Sequence, residues 1–180
     1  YLTDDELKYI ENYDFSQTRL QQVKDLFVFC CYTGLAFKEM SNLKPEHIVK
    51  GFDGNKWIKM NREKTSKPLM IPLLPKALYI ISKYQSEDKL LPIISNQRFN
   101  SYLKEIADIV GLKKNLTHHI ARKTFASTVL LFNDVPMEIV SELLGHSKIS
   151  TTQDYYAKIV NKKLSETMKG LSERLNEKLK

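Results

Sequence analysis

Residues 117–126 read THHIARKTFA, and residues 143–155 read LLGHSKISTTQDY. The first segment begins with Thr117, a residue type favoured at helix N-caps, which predicts that a helix starts here. His119 and Arg122 then lie three residues apart on one face of that helix, near its positive end. An arginine presents a planar fork of donors to two oxygens, a geometry that suits a phosphate. Taken alone, the segment also fits a solvated basic helix.

The second segment predicts the end of one helix and the start of another. Gly145 is a typical C-terminal cap, and it leaves His146 in the following turn. His146 either caps the helix end or donates to a charged oxygen. Tyr155 lies one turn into the next helix, directly before Tyr156. Because successive helical residues point about 100° apart, only one of these tyrosines can face a given phosphate.

The remaining sequence predicts a mainly α fold with a small antiparallel β-sheet, in the α+β class. Thr3 and Glu6 form a capping box that starts a helix near residue 4. Gly34 stops a second helix, whose apolar residues recur at helical spacing from Leu20 to Cys30. Short apolar runs between tight turns predict three strands. The other predicted elements are strands near 47–50, 56–61 and 68–72, helices near 37–43, 75–84, 96–110, 117–131, 136–144 and 151–157, and a charged amphipathic tail from 161.

Composition restricts the class of protein. A chain of 180 residues with 42% hydrophobic content can bury one substantial core, so we expect one domain. The formal charge of +7 favours a polyanionic partner, above all nucleic acid. No apolar stretch approaches the roughly 20 residues of a membrane span. Cys30 and Cys31 are adjacent in an apolar run, which predicts reduced thiols and a cytoplasmic location.

The two quoted segments resemble the signature blocks of the tyrosine recombinase, or phage integrase, family. They contain His-x-x-Arg, Leu-Gly-His and a tyrosine nine residues after that histidine, in the family's order. Residues 33–39 and 64–73 also resemble family positions, and the resemblance extends to integrases of bacterial conjugative elements. It implies that residues 1–180 are a catalytic domain. Because the chain starts at Tyr1, we expect that an N-terminal core-binding domain, which such enzymes usually carry, has been removed.

The resemblance implies a site-specific recombinase or integrase that cleaves and rejoins DNA through a covalent 3′-phosphotyrosine. It implies that Tyr155 is the nucleophile, Arg122 a phosphate clamp and His119 a proton-transfer or hydrogen-bonding partner. It also implies that His146 donates to the scissile phosphate and that Lys64 protonates the leaving 5′ oxygen. Cationic donors are needed because charge grows on phosphate oxygens during attack. We expect neither a metal nor another cofactor.

One residue departs from the family pattern. Ala36 stands where the family usually has its first catalytic arginine. A surrogate cation is therefore predicted, and Lys24 ranks first because it lies three helical turns upstream, near the same helix face. Arg19 and Lys38 are the other local candidates. A lysine is a point charge, so it would not reproduce bidentate binding.

The family resemblance also implies partners. These are double-stranded DNA and other recombinase protomers, in a tetramer on DNA whose C-terminal tails, from Asn161, dock in trans. No membrane is expected as a partner. A metal site formed by His118, His119 and His146 is rejected because no cysteine or carboxylate joins them at ligand spacing. Two alternatives stay open: strand relaxation like that of a type IB topoisomerase, and a catalytically impaired DNA-binding module, which Ala36 favours.

Overall fold

The chain forms a mainly α-helical fold with one small sheet, as predicted. The computed structural model describes residues 1–62, 67–86, 88–145, 159–161, 164–165, 168–172 and 174–175. Its helices are α1 Asp4–Asn12, α2 Thr18–Thr33, α3 Phe37–Ser41, α4 Pro75–Tyr84, α5 Asn96–Ile109, α6 His118–Thr124 and α7 Met137–Leu144. Its strands are β1 Ile48–Lys50, β2 Lys56–Asn61 and β3 Pro68–Pro72. The predicted helix near 151–157 lies outside the described residues. No helix in the described part is long and apolar enough to cross a membrane.

Helix α2 forms the centre of the core. It packs against α1, α4, α5 and α6. Its residues are apolar on nearly every side, and Leu26, Phe27 and Phe29 are almost completely buried. A helix that is hydrophobic all round needs neighbours on all its faces, which explains its position. The predicted stop at Gly34 is confirmed, because this residue caps α2 in the left-handed conformation with φ +64°.

The sheet has the order β1-β2-β3, and both pairs are antiparallel. Ile58 in β2 pairs with Ile48 on one side and with Ile71 on the other. Ile58 and Ile71 are fully buried, whereas the next pair in register, Lys59 and Met70, is exposed. This alternation matches the period of a strand with one face on the core. The chain leaves β2 at Arg62, which is directed back into the protein.

The segment near 117–131 differs from its prediction as one continuous α-helix. Helix α6 ends at Thr124, and it is followed by a wider π-helical stretch, Phe125–Leu130, and then by a 3-10 turn. The hydroxyls of Thr124 and Thr128 bond the backbone N–H and carbonyl of Leu2. The π-helical stretch therefore lies where the N-terminal residues cross this helix. The apolar periodicity of the sequence gives no sign of this tertiary contact.

The end of α2 packs directly on the π-helical stretch. A Cβ atom built on Gly34 would lie 2.3 Å from Cδ1 of Phe125. Phe125 belongs to a second apolar cluster, with Val140 and Leu144 of α7. Gly34 is thus required both by its backbone conformation and by the close approach of a buried ring. This contact fixes the position of α2 relative to α6 and α7.

We expect Gly34→Ala to lower the free energy of unfolding by about 2–4 kcal/mol, measured by urea denaturation. The reasons are the cost of a left-handed conformation for a residue with Cβ and the overpacking against Phe125. Gly111→Ala is the matched control, since Gly111 has φ +69° but an added Cβ would meet nothing within 4 Å. It should cost only about 1 kcal/mol. Equal losses in the two variants would contradict the packing argument.

Candidate functional site

Arg122 brings separate parts of the sequence together. One terminal nitrogen of its guanidinium donates to the carbonyl of Gly34, where α2 ends. The other donates to the carbonyl of Leu144, the last residue of α7. The side chain is half-buried on α6. The block near residues 33–39, the His-x-x-Arg block and the Leu-Gly-His block therefore meet at one guanidinium.

A second arginine, Arg62, reaches the same end of α7. One of its terminal nitrogens donates to the carbonyl of Leu143 at 3.2 Å. The other bonds both carboxylate oxygens of Glu39, at 3.0 and 3.1 Å. Both partners of this ion pair are buried, with Glu39 2% and Arg62 7% exposed. Arg62 was not among the predicted site residues, because its burial depends on contacts with α3 and α7 that no local pattern reports.

Gly145 follows the two carbonyls that the arginines bind. It is in the left-handed conformation with φ +59°, which confirms the predicted cap of α7. A Cβ atom at this position would lie 2.1 Å from Nε of Arg62. The glycine of the Leu-Gly-His block is thus required by the chain reversal and by the arginine packed against it.

Two neighbouring histidines occupy different environments at the start of α6. The ring of His118 lies near Phe37 and Phe99 and bonds the carbonyl of Leu35. Burial and the nearby charge of Arg122 lower the pKa of His118 to about 4. His119 is exposed, and its pKa is lowered by partial desolvation and then by Lys123 and Arg122. At neutral pH both rings are uncharged, and His119 is the one accessible to a ligand.

The three predicted surrogates for an arginine at position 36 lie in different places. Lys24 is buried in an ion pair with Asp25 at 3.0 Å, and Arg19 forms a two-pronged pair with Glu105 at 2.6 and 2.7 Å. Both contacts hold these cations beside the first half of α2, whereas Ala36 follows its C-terminal end. The structure therefore does not bring Lys24 or Arg19 to Ala36. Lys38 is exposed on α3, two residues away, and its role stays a prediction.

Other predicted site residues cannot be placed. Lys64, His146, Tyr155 and the competing Tyr156 lie outside the described residues. Within the residues that are described, no group of three or more His, Cys, Asp or Glu side chains is arranged to hold a metal ion. Arg122 and His119 are thus the predicted catalytic residues whose positions the structure gives, and they lie one turn apart on α6.

The chain matches the phage integrase family over residues 1–162. A tyrosine recombinase of Thermosipho africanus is 28% identical over 165 residues, which cover 86% of this chain and 56% of that protein. The solved catalytic domain of bacteriophage HP1 integrase has a TM-score of 0.65 at 20% identity, covering 94% of this chain and 93% of that one. The XerH site-specific recombinase, solved in a post-cleavage complex with its difH substrate, has a TM-score of 0.70 at 17% identity and covers 93% and 52%.

This chain belongs to the phage integrase family, the tyrosine recombinases, as its sequence motifs predict. Its fold is that of tyrosine recombinase catalytic domains. The chain spans about half the length of the curated relatives it matches.

The half-buried His118 should make the free energy of unfolding depend on pH. Its folded pKa of about 4 lies below the unfolded value near 6.5, so only the unfolded state gains a proton between these values. Stability is fully present above pH 6.5, and about 3 kcal/mol is lost as pH falls to 4. We expect the free energies of unfolding of the wild type and of His118→Gln, measured by urea denaturation, to converge as pH falls from 6.5 to 4. Only the wild type has the histidine that is protonated on unfolding. A difference that stays constant with pH would contradict this assignment.

Proposed function

We propose that residues 1–180 are the catalytic domain of a site-specific DNA recombinase or integrase that acts through a covalent 3′-phosphotyrosine. The observation that carries the proposal is the position of Arg122. It holds the end of α2 and the end of α7 together, at the leucine of the Leu-Gly-His block. Membership of the phage integrase family and the DNA complex of XerH support the same function.

In the proposed reaction, the oxygen of Tyr155 attacks the scissile phosphorus and displaces the 5′ oxygen. Arg122 and His146 bind the phosphate oxygens, on which negative charge increases in the transition state. Lys64 gives its proton to the leaving 5′ oxygen. A hydroxyl of the partner strand then attacks the phosphotyrosine, so that the phosphate ester bond is conserved and no nucleotide cofactor is needed.

His119 is proposed to help the nucleophile lose its proton. Tyrosine has an ordinary pKa near 10, so attack at neutral pH requires a proton acceptor or a hydrogen-bonding partner. The lowered pKa of His119 keeps its ring neutral at this pH, and its exposure leaves it accessible to substrate. His118 does not suit this role because its ring is held among Phe37, Phe99 and the Leu35 carbonyl.

The proposed partners are double-stranded DNA and further copies of the recombinase in a tetramer, in the cytoplasm. The charge of +7 favours DNA binding, and Lys104 and Arg98 on α5 add to an exposed basic surface. In the described part of the C-terminal tail, apolar side chains recur three or four residues apart and are exposed: Leu164, Met168, Leu171 and Leu175. This spacing supports docking of the tail on a neighbouring protomer.

A suicide substrate with nicked DNA tests this function against its alternatives. We expect a covalent protein–DNA adduct, followed by strand exchange when a partner duplex is added. Adduct with relaxation of one duplex and no exchange would favour a type IB topoisomerase activity. DNA binding without any adduct would favour the catalytically impaired module that Ala36 makes plausible.

The nucleophile is tested by two single substitutions. Tyr155→Phe should abolish the adduct, because it removes the attacking oxygen, whereas Tyr156→Phe should retain it. Denaturing gels with end-labelled DNA measure the adduct, and the two variants are matched because each loses one hydroxyl from neighbouring positions. Loss of the adduct in the Tyr156 variant alone would assign the nucleophile to that residue instead.

Cleavage should also persist in excess chelator. The cations proposed to stabilise the transition state are side chains, namely Arg122, Lys64 and the donor His146, so a divalent ion has no required role. The adduct yield with and without chelator is the measurement. A yield that disappears in chelator and returns with a divalent ion would refute the metal-free mechanism.

A further inference from the structure

Arg62 lies beside the position where the family's first arginine is missing. Oε2 of Glu39 accepts a hydrogen bond from the backbone nitrogen of Ala36 at 2.8 Å and one from a terminal nitrogen of Arg62 at 3.1 Å. Because both nitrogens bond the same oxygen, they lie no more than about 6 Å apart. The guanidinium of Arg62 thus occupies the neighbourhood of Ala36, although it comes from the end of β2.

Arg62 also lies beside Arg122. The two guanidinium groups bond the carbonyls of consecutive residues, Leu143 and Leu144, at the end of α7. The carbonyls of a helix end are otherwise unsatisfied and carry partial negative charge, which favours two cations there. This arrangement places a pair of guanidinium groups at the C-terminal end of α7, which Gly145 caps.

One donor of Arg62 has no acceptor among the described residues. Its Nε is buried without a hydrogen-bond partner and lies against Gly145. A buried charged donor left unpaired is unfavourable, and a ligand oxygen at this point would remove that cost. In the sequence, Gly145 directly precedes His146, the residue proposed to bind the phosphate.

We propose that Arg62 supplies the second guanidinium that binds the scissile phosphate, in place of the arginine absent at position 36. The proposal rests on the proposed cleavage of DNA by this chain. Arg62 presents a planar fork, which Lys24 and Lys38 do not, so it preserves the two-oxygen recognition of a phosphate. Glu39 orients the guanidinium of Arg62, and the absence of a side chain at Gly145 leaves space for it.

A purely structural ion pair is the alternative role for Arg62. A buried arginine bonded to a carboxylate and a carbonyl can stabilise the packing of α3 against α7 without touching DNA. In that case its removal lowers the free energy of unfolding, but the DNA complex that still forms cleaves normally. The two roles therefore differ in the rate of the bound complex and not in stability.

The experiment measures single-turnover cleavage of nicked DNA at saturating DNA concentration. Arg62→Ala should slow adduct formation about 10²-fold or more, the scale seen when one oxyanion donor is removed. Arg62→Lys keeps a cation for Glu39 and guards against unfolding, yet it should still be slowed about 10-fold because the fork is lost. Lys59→Ala is the matched control, an exposed cation on β2 whose loss should leave the rate unchanged.

A second substrate separates charge neutralisation from a structural effect. A methylphosphonate at the scissile position removes one negative charge, so a cation that neutralises this charge becomes less important. The rate ratio of wild type to Arg62→Ala should then fall at least 10-fold relative to the ordinary phosphodiester. Equal ratios on both substrates would overturn the proposal, as would wild-type rates for both Arg62 variants on the ordinary substrate.

A wrong role for Arg62 and a wrong proposed function give different outcomes in this experiment. If the wild-type chain forms no adduct with nicked DNA, the function itself is wrong. If the wild type and the Lys59 control form adduct while Arg62→Ala and Arg62→Lys do so at the same rate, the function stands. In that case the assignment of Arg62 alone is rejected.

Discussion

The structure depends on how the C-terminal end of α7 is satisfied. A helix leaves its last carbonyl groups without backbone partners, and a buried end requires donors from elsewhere. Here Arg62 donates to Leu143 and Arg122 donates to Leu144. Each arginine comes from a different element, so the sheet and α6 are both joined to α7 at this point. The same contacts direct two cations toward the turn that begins at Gly145.

Local constraints follow from this arrangement. Gly145 has no room for a side chain because Arg62 lies against it, and Gly34 has none because Phe125 lies against it. Arg122 bonds the carbonyl of Gly34, so each glycine lies next to one of the two arginines. Small shifts of α2 or α7 would therefore move the cations directly. The packing of the core and the geometry of the candidate site are thus coupled, because a side chain at either glycine would disturb both.

The helices and strands were largely predictable from the sequence because their signals are local. The capping box at Thr3, the stop at Gly34 and the three strands between tight turns are confirmed. The π-helical stretch after Thr124 was not, since it accompanies contacts with Leu2 from the far end of the chain.

The candidate site was predictable only where its residues belong to a local motif. The motif predicts Arg122 as a site residue, whereas Arg62 belongs to no motif and is brought to Glu39 and the end of α7 only by the fold. Helical spacing ranked Lys24 first as the surrogate for the missing arginine, yet spacing along α2 does not report that this side chain donates to the carbonyl of Glu11 in α1. A contact that forms between two elements is decided by the fold, and helical periodicity does not reveal it.

The most direct test of this account is a crystal structure of the covalent intermediate trapped on nicked DNA. The account predicts a bond between the phosphorus and the oxygen of Tyr155, with phosphate oxygens within hydrogen-bonding distance of both Arg122 and Arg62. A bond to another residue would contradict the assigned nucleophile. A phosphate that contacts Arg122 while Arg62 bonds only Glu39 and Leu143 would contradict the pair of arginines on which the account depends.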